Sequence, residues 1–246
     1  MAAVNAMQIL HEVIEAHGGM DYWSSLGALD AEISAGGFLF TAKQRPVLKR
    51  VRMRALTTEP RFTFFDFPKT GQTSEFIGND EVRILDSNGA VMAQRRDPRT
   101  AFRDIRRQFF WDDLDFIYFA GYATWNYLTA PFMLARKGFV IRMLEPLQGA
   151  LGQFTRLHVT FPPDIPTHSR EQVFYFDDQR MLRRLDYTAE VVGGWAHAAH
   201  LCDEYRTFDR LRAPTRRWVL PLLLGHKPLP GPKLVELELH SVRPVF

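Results

Sequence analysis

The sequence has a single cysteine, Cys202, so its 246 residues contain no internal disulfide bond. Small secreted proteins commonly depend on several disulfides, and this chain does not fit that class. Residues 1–19 also lack the basic start and the long apolar core of a secretory signal peptide, and they predict an amphipathic helix instead. From these two absences we expect a cytoplasmic protein, either free or peripheral to a membrane.

Motifs that hold nucleotides or perform common hydrolytic chemistry are absent as well. The glycine pairs at 18–19 and 193–194 do not have the spacing of a dinucleotide-binding or phosphate-binding loop, and no GxSxG motif occurs. His197 and His200 suggest a metal site, but their segment reads as a strand, which would turn them to opposite faces. Zinc needs three or four converging ligands. We therefore expect no metal and no cofactor.

Positive charge is only mildly in excess, and it is clustered. Lysine and arginine number 31 against 28 acidic residues, a formal charge of +3, so we expect no nucleic-acid partner. In residues 97–108, where Asp97-Pro98 predicts a helix start, arginines crowd one face. This face either contacts an anionic membrane surface transiently or is a solvated surface whose arginine stems pack on a sheet. Its members are Arg99, Arg103, Arg106 and Arg107.

Most of the sequence alternates polar and apolar residues with a period of two, which is typical of β-strands. Turn signals separate the strands, and Asn88-Gly89 is the strongest hairpin signal. No linker interrupts the pattern, so residues 1–246 are predicted to form one domain, a mainly β (α+β) fold that begins with a helix over 4–17. The predicted strands lie around Ile33 and at 38–40, 48–56, 61–67, 73–77, 81–85, 139–144, 154–161, 172–176, 182–191, 199–208, 215–220 and 233–242.

The stretch 111–135 carries no charge from Phe116 onward and predicts a central helix. Asp112 can cap its first turn, and Pro131 would end or kink it. Its length approaches the roughly 20 residues of a membrane span. Its asparagine, threonines and tyrosines favour a buried helix covered by a sheet over such a span. Because both sides of the helix are apolar, the sheet has to cover it all round.

Polar side-chain tips among these apolar residues need partners inside the fold or in a ligand. We expect a pocket between the concave face of the sheet and the helix stripe through Tyr118, Tyr122 and Trp125. Asp186 lies either on the outer face, paired with arginine, or in the cavity with a raised pKa. The predicted ligand-binding residues are Phe116, Tyr118, Tyr122, Trp125, Asn126 and Tyr187, and the candidate catalytic residues are Asp186, Tyr187 and His197.

Three segments resemble the LolA/LolB lipoprotein-carrier superfamily. EAHGGMDYWSSL is similar to the helix-Gly-Gly-Trp start of many such proteins, and VFYFDDQRMLRRLDY resembles their strand–turn–strand unit. EYRTFDRLRAPTRR is similar to a common hairpin of the family, with Arg210 where glycine is usual. The resemblance implies a bacterial protein with an open antiparallel half-barrel curled around a helical insert and an apolar cavity for acyl chains. The missing signal peptide and lipobox favour a different apolar ligand from the lipoproteins of that family.

Two functions are open at this point. The first is the binding of a lipid or another hydrophobic small molecule between the curved sheet and the central helix, since the 13% of aromatic residues could line a mostly apolar pocket. The second is a cofactor-independent enzyme (a cyclase, isomerase or hydrolase) acting on an apolar substrate in the same cavity. A buried carboxylate or histidine facing the cavity would favour the second.

Overall fold

The computed structural model describes residues 5–149, 152–223 and 227–246. The first predicted helix is present, and it begins where Asn5 accepts a hydrogen bond from the backbone N–H of Gln8 at 2.8 Å. The α-helices of these ranges are α1 (Ala6–His17), α2 (Met20–Ser24), α3 (Phe38–Ala42) and α4 (Asp113–Thr129), and 3₁₀ segments occupy Pro98–Arg103, Ile105–Gln108 and Phe132–Ala135.

The strands of the described residues form one antiparallel sheet. Along many of them buried and more exposed positions alternate, which is the pattern predicted for one face on the core and one face toward water. The strands are β1 (Ala28–Gly36), β2 (Leu48–Leu56), β3 (Arg61–Phe65), β4 (Thr73–Ile77), β5 (Glu81–Leu85), β6 (Val91–Arg96), β7 (Val140–Gly149), β8 (Gly152–Thr160), β9 (Glu171–Phe176), β10 (Leu182–Thr188), β11 (His197–Phe208), β12 (Leu211–Pro221) and β13 (Val235–Val245).

The first and the last strand of the chain pair with each other in the middle of the sheet. The strand order runs β6-β5-β4-β3-β2-β1-β13-β12-β11-β10-β9-β8-β7, so β1 pairs with β13, with Ala28 opposite Val245. Each other strand pairs with its neighbours in the chain, except at the edges β6 and β7 and across the central helix. The sheet is not closed into a barrel. The predicted fold class, a mainly β open half-barrel with a central helical insert, is confirmed.

Helix α4 is the central insert, and its start matches the sequence signal. The carboxylate of Asp112 accepts from the N–H of Asp115 at 2.9 Å, and that of Asp115 accepts from the N–H of Asp112 at 3.0 Å. The helix is buried on both sides and packs against β3, β4 and β5. Among the helices of the described ranges, none is long and apolar enough to cross a membrane.

Residues 38–40 were predicted as a strand, and they form α3 instead. Gly37, with φ 122°, turns the chain off the sheet, and a Cβ at this position would lie 2.6 Å from the carbonyl oxygen of Leu234. Only glycine tolerates this conformation and this close approach. The N–H groups of Phe38 and Leu39 then donate to the carbonyls of Lys233 and Leu234, which fixes α3 against the segment before β13.

The basic segment 97–108 was predicted as one helix, and this prediction is also wrong. The segment consists of two 3₁₀ segments separated by Asp104, whose backbone is extended with ψ 127°. The Asp104 carboxylate accepts from the N–H of Arg106 at 3.0 Å, so it competes with the helical backbone bonds and starts a new turn. The arginines are therefore not arranged along a continuous helical face.

Gly121 provides a test of how closely α4 approaches the sheet. A Cβ on Gly121 would lie 2.6 Å from the Cβ of Phe76 in β4. We expect Gly121→Ala to lower the free energy of unfolding by about 1 kcal/mol or more, because overpacking costs about 1–3 kcal/mol and exceeds the gain of about 1 kcal/mol in helix propensity. Urea denaturation measures this change.

The control is Gly194→Ala, where an added Cβ meets nothing within 4 Å and stability should stay within about 0.5 kcal/mol. A Gly121→Ala protein as stable as the parent would mean that α4 can move away from β4 at no cost.

Candidate binding cavity

A cavity of about 410 Å³ lies between α4 and the middle of the sheet. Ile33 of β1, Val219 of β12 and Leu237 of β13 belong to its sheet wall, and Leu39 and Phe40 of α3 close another side. Within the described residues no aspartate or glutamate lines it. A concave, mostly apolar wall with few polar groups is typical of sites for small molecules.

The side of α4 that borders the cavity carries Phe119, Ala123 and Tyr127, which are spaced four residues apart. Ala120 and Thr124 complete this side. Small side chains at the centre of the helix leave space that larger ones would fill. The cavity therefore depends on the alanines of α4 as well as on the curvature of the sheet.

The stripe predicted to face the pocket lies on the other side of α4. Tyr118 packs on Phe76, with ring centroids 5.9 Å apart, and the indole of Trp125 donates to the carbonyl oxygen of Leu56 at 2.8 Å. The pocket is therefore bordered by the side of the helix opposite to the predicted one. The sequence of a helix that is apolar all round does not indicate which side faces a pocket. Only Tyr187 of the predicted ligand-binding residues lines the cavity, while the fold buries Phe116, Tyr118, Tyr122, Trp125 and Asn126.

Polar groups of the wall are concentrated at His168, in the loop between β8 and β9. The hydroxyl of Tyr122 is 3.1 Å from its Nδ1, and that of Tyr127 is 2.8 Å from its Nε2. The ring of Tyr187 stacks on the imidazole with centroids 4.1 Å apart. Since a neutral imidazole has one N–H, one of the two hydroxyls donates to the ring and the other accepts from it.

Burial keeps this cluster uncharged at neutral pH. Desolvation, with the charge of Arg99 as a lesser cause, lowers the pKa of His168 to about 3. Desolvation also raises the pKa of Tyr127 to about 12 and holds the pKa of Tyr187 well above its usual range. The cluster therefore presents neutral hydrogen-bonding groups to the cavity.

The three candidate catalytic residues are not brought together. Asp186 is buried on the opposite face of β10 from Tyr187, where it accepts from the Tyr175 hydroxyl and from Nε of Arg184, both at 2.6 Å. His197 is exposed at the edge of the cavity, with Nδ1 2.8 Å from the hydroxyl oxygen of Thr188. In the described part of the chain, no group of three or more His, Cys, Asp or Glu residues could hold a metal ion.

Comparison with solved structures finds similar folds over nearly the whole chain. A LolA superfamily protein from Nitrosomonas europaea has a TM-score of 0.54 at 12% sequence identity, covering 98% of this chain and 94% of that one. A putative outer membrane lipoprotein-sorting protein domain from Vibrio parahaemolyticus has a TM-score of 0.53 at 13% identity, covering 97% and 92%. The chain has a LolA-like fold.

A third solved structure is similar to this chain in fold. A DUF1329 family protein from Desulfovibrio piger has a TM-score of 0.51 at 11% identity, covering 97% of this chain and 92% of that one. No protein-family model matches the sequence, and no curated protein matches it either. The resemblance expected from the three sequence segments is confirmed for the fold, and the function has to be argued from the site.

The mouth of the cavity in this LolA-like fold carries large exposed apolar side chains. Trp195 is 74% exposed and borders the cavity, as do Phe38 and Leu223. Gln108 also lines the cavity, and Ile105 and Phe109, which are close to it in the chain, are exposed and apolar. We call this surface the apolar rim, and its members are Phe38, Ile105, Phe109, Trp195 and Leu223.

Two of the four arginines predicted to face a membrane are held by contacts with other parts of the fold. Arg99 pairs with Glu190 at 2.5 Å and donates to the carbonyl oxygen of Thr167 at 2.8 Å. Arg107, whose side chain is mostly buried, pairs with the fully buried carboxylate of Asp115 at 2.7 Å. Both arginines therefore fix loops to the core.

The other two arginines are exposed beside the apolar rim. Arg106 pairs with Asp104 at 2.7 Å while its side chain stays 77% exposed, so this contact adds little stability. Arg103 is exposed and has no ion pair within the described ranges. A membrane-facing role stays a prediction for these two residues.

Sequence reasoning overlooked several groups that line the cavity. Phe119 and Tyr127 carry the same four-residue spacing as the predicted stripe, so the signal was present but did not distinguish the two sides. His168 lies in a loop rich in proline, and no periodic pattern relates such a loop to the residues it contacts. Lys43 follows α3, which was itself predicted as a strand.

The lowered pKa of His168 predicts how stability depends on pH. Unfolded histidine binds a proton below about pH 6.5, but the folded ring resists protonation down to about pH 3. This contribution to stability is therefore complete above about pH 6.5 and is lost as pH falls toward 3, by about 1.4 kcal/mol per pH unit. Urea denaturation between about pH 7 and pH 4 should show a smaller decline for His168→Gln than for the parent.

The same variant identifies the His168 signal in ¹⁵N spectra of the histidine side chains. We expect that signal to stay that of a neutral imidazole through this range. A His168 ring that takes up a proton near pH 6.5 would mean that water reaches the cluster.

Proposed function

We propose that the protein binds a lipid or another hydrophobic small molecule in the cavity between α4 and the curved sheet. The observation that carries this proposal is an apolar cavity of about 410 Å³ that no described carboxylate lines. Its volume lies in the lower part of the range of roughly 300–1,000 Å³ that is usual for small-molecule sites. This size favours a ligand with one apolar chain over a bulkier lipid.

The polar groups of the wall suit the same function. Tyr127, His168 and Tyr187 offer neutral hydrogen-bonding atoms at one place in a mostly apolar wall. Such groups fix the orientation of a ligand that is bound mainly through its apolar surface. Further support comes from the fold, since one similar structure is described as a putative outer membrane lipoprotein-sorting protein domain.

A cofactor-independent enzyme is the second candidate, because the buried His168 borders the cavity. General acid–base catalysis works best when the pKa of the catalytic group is near the operating pH. Burial instead moves the pKa of His168 down to about 3 and that of Tyr127 up to about 12. At neutral pH both groups are far from that optimum, so the binding function has the better support.

The binding function predicts that a substitution which fills the cavity removes the ligand. Ala123 is buried on the side of α4 that borders the cavity, and Ala123→Phe would place a ring there. We expect native mass spectrometry of the purified parent to detect a hydrophobic ligand, or uptake of an added single-chain lipid after extraction, and the variant to bind much less.

The matched control is Ala90→Phe, which makes the same change at an exposed position in the turn before β6. It should leave ligand binding unchanged. A parent protein that contains no extractable ligand and takes up none of the added lipids would refute the proposed function.

We further propose that the mouth of the cavity contacts an anionic membrane when the ligand enters or leaves. The apolar rim supplies side chains that can enter the interface, with Phe109 70% and Ile105 71% exposed. Arg103 and Arg106 stand beside it and would attract anionic lipids with about 1 kcal/mol each. A surface of this kind gives reversible contact and not anchoring.

Co-sedimentation with vesicles that contain phosphatidylserine tests this contact. We expect binding that weakens with salt and that falls at least tenfold in the double variant Phe109→Ser, Trp195→Ser, because the two aromatic rings together contribute about 1.4 kcal/mol or more when they leave water. Met92→Ser, at a 58% exposed position of edge strand β6, is the control. Equal binding of the double variant and the control variant would exclude the apolar rim as the contact surface.

A further inference from the structure

Lys43 is a buried lysine in the wall of the cavity. It follows α3, and only 3% of its surface is exposed. Its Nζ donates to the carbonyl oxygens of Arg107 and Gln108, at 2.9 and 2.6 Å, and lies 5.3 Å from the centre of the Trp111 ring. Lys43 borders the cavity, and so does Gln108, whose carbonyl oxygen its Nζ contacts.

The contacts of Lys43 carry no negative charge. They are two carbonyl dipoles and one aromatic face, and no described acid is within ion-pair distance of its Nζ. Removing an ammonium group from water is costly unless it is paired, and burial accordingly lowers the pKa of Lys43. The group thus lacks the partner that buried lysines ordinarily have.

A second buried cation lies behind the cavity wall, and it also has neutral partners. Arg217 is 5% exposed and donates to the carbonyl oxygen of Tyr127 at 2.9 Å and to the sulfur of Cys202 at 3.1 Å. Within the described ranges it forms no ion pair. Two buried cations, Lys43 in the wall and Arg217 behind it, are thus placed at a mostly apolar cavity whose described wall contains no carboxylate.

We propose that the cavity binds a single-chain amphiphile with a carboxylate head group, and that this carboxylate pairs with Nζ of Lys43. The inference rests on the proposed binding function and names the class of ligand. The apolar chain lies along the walls formed by α4 and the sheet. Lysine presents one compact positive charge, which one carboxylate neutralises. The dianion of a phosphate monoester would keep a second charge without a partner among apolar walls, because no arginine is among the described wall residues.

The experiment compares ligands that share a chain and differ in head group. Isothermal titration calorimetry is carried out on delipidated full-length protein with dodecanoate, dodecanol and dodecyl phosphate, at a pH where the free acid is ionised. We expect dodecanoate to bind at least tenfold more tightly than dodecanol, as for a hydrogen bond to a charged group, and more tightly than dodecyl phosphate.

Three variants relate this preference to Lys43. Lys43→Met keeps the length of the stem and removes the charge, so dodecanoate should lose about tenfold or more in affinity while dodecanol changes little. Lys43→Arg keeps the charge and should keep the preference for the acid over the alcohol. Lys49→Met removes an exposed lysine from β2 and should change neither ligand.

The outcomes separate this inference from the proposed function. A parent that binds none of the three ligands contradicts both, while equal affinities for acid and alcohol overturn the carboxylate alone. Tighter binding of dodecyl phosphate than of dodecanoate would overturn the choice of head group. An affinity for dodecanoate that Lys43→Met leaves unchanged would exclude Lys43 as its partner.

A measurement on the parent protein covers the case in which Lys43→Met does not fold. The carboxyl carbon of ¹³C-labelled dodecanoate reports the pKa of the bound acid by NMR. Pairing with an ammonium group lowers that pKa below its value in water, whereas burial in an apolar cavity without a partner raises it. A raised pKa would refute the proposed pair.

Discussion

Helix α4 has almost no polar side that could face water, and the rest of the structure is arranged to cover it. On one side it lies so close to β4 that a Cβ on Gly121 would collide with the side chain of Phe76. On the other side the sheet curves away toward β1, β13 and β12, and the alanines of the helix do not fill the distance. The cavity is therefore the space that remains between α4 and the part of the curved sheet that lies farther from it.

The elements that local chemistry determines could be predicted from the sequence. Alternation of period two predicted most strands, because one face of each strand is buried, and the capping residue Asp112 predicted the start of α4. Where a contact between distant segments decides the conformation, the prediction was wrong. Residues 38–40 are apolar and resemble a strand, but Gly37 must pass the carbonyl of Leu234, and this turns them into α3.

The candidate site was harder to predict than the fold, for a physical reason. A helix that is apolar all round has no moment to orient it, so its sequence cannot tell which side meets packed strands and which side meets a cavity. Trp125 and Phe119 have similar chemistry, yet Trp125 is bonded to Leu56 and Phe119 borders the cavity. His168 and Lys43 come from loops and acquire their surroundings only through tertiary contacts with α4 and with the 3₁₀ segment Ile105–Gln108.

Buried cations that are neighbours near the start of α4 have different kinds of partner. Asp115 is fully buried, and its two oxygens pair with Arg95 at 2.6 Å and Arg107 at 2.7 Å, so these guanidinium groups have a carboxylate beside them. The backbone carbonyl of the same Arg107 accepts a hydrogen bond from Nζ of Lys43. The other contacts of this ammonium group are the carbonyl oxygen of Gln108 and the ring of Trp111. The fold thus supplies an acid to Arg95 and Arg107. It supplies none to Lys43, which borders the cavity, and a bound carboxylate would give Lys43 what Asp115 gives to these two arginines.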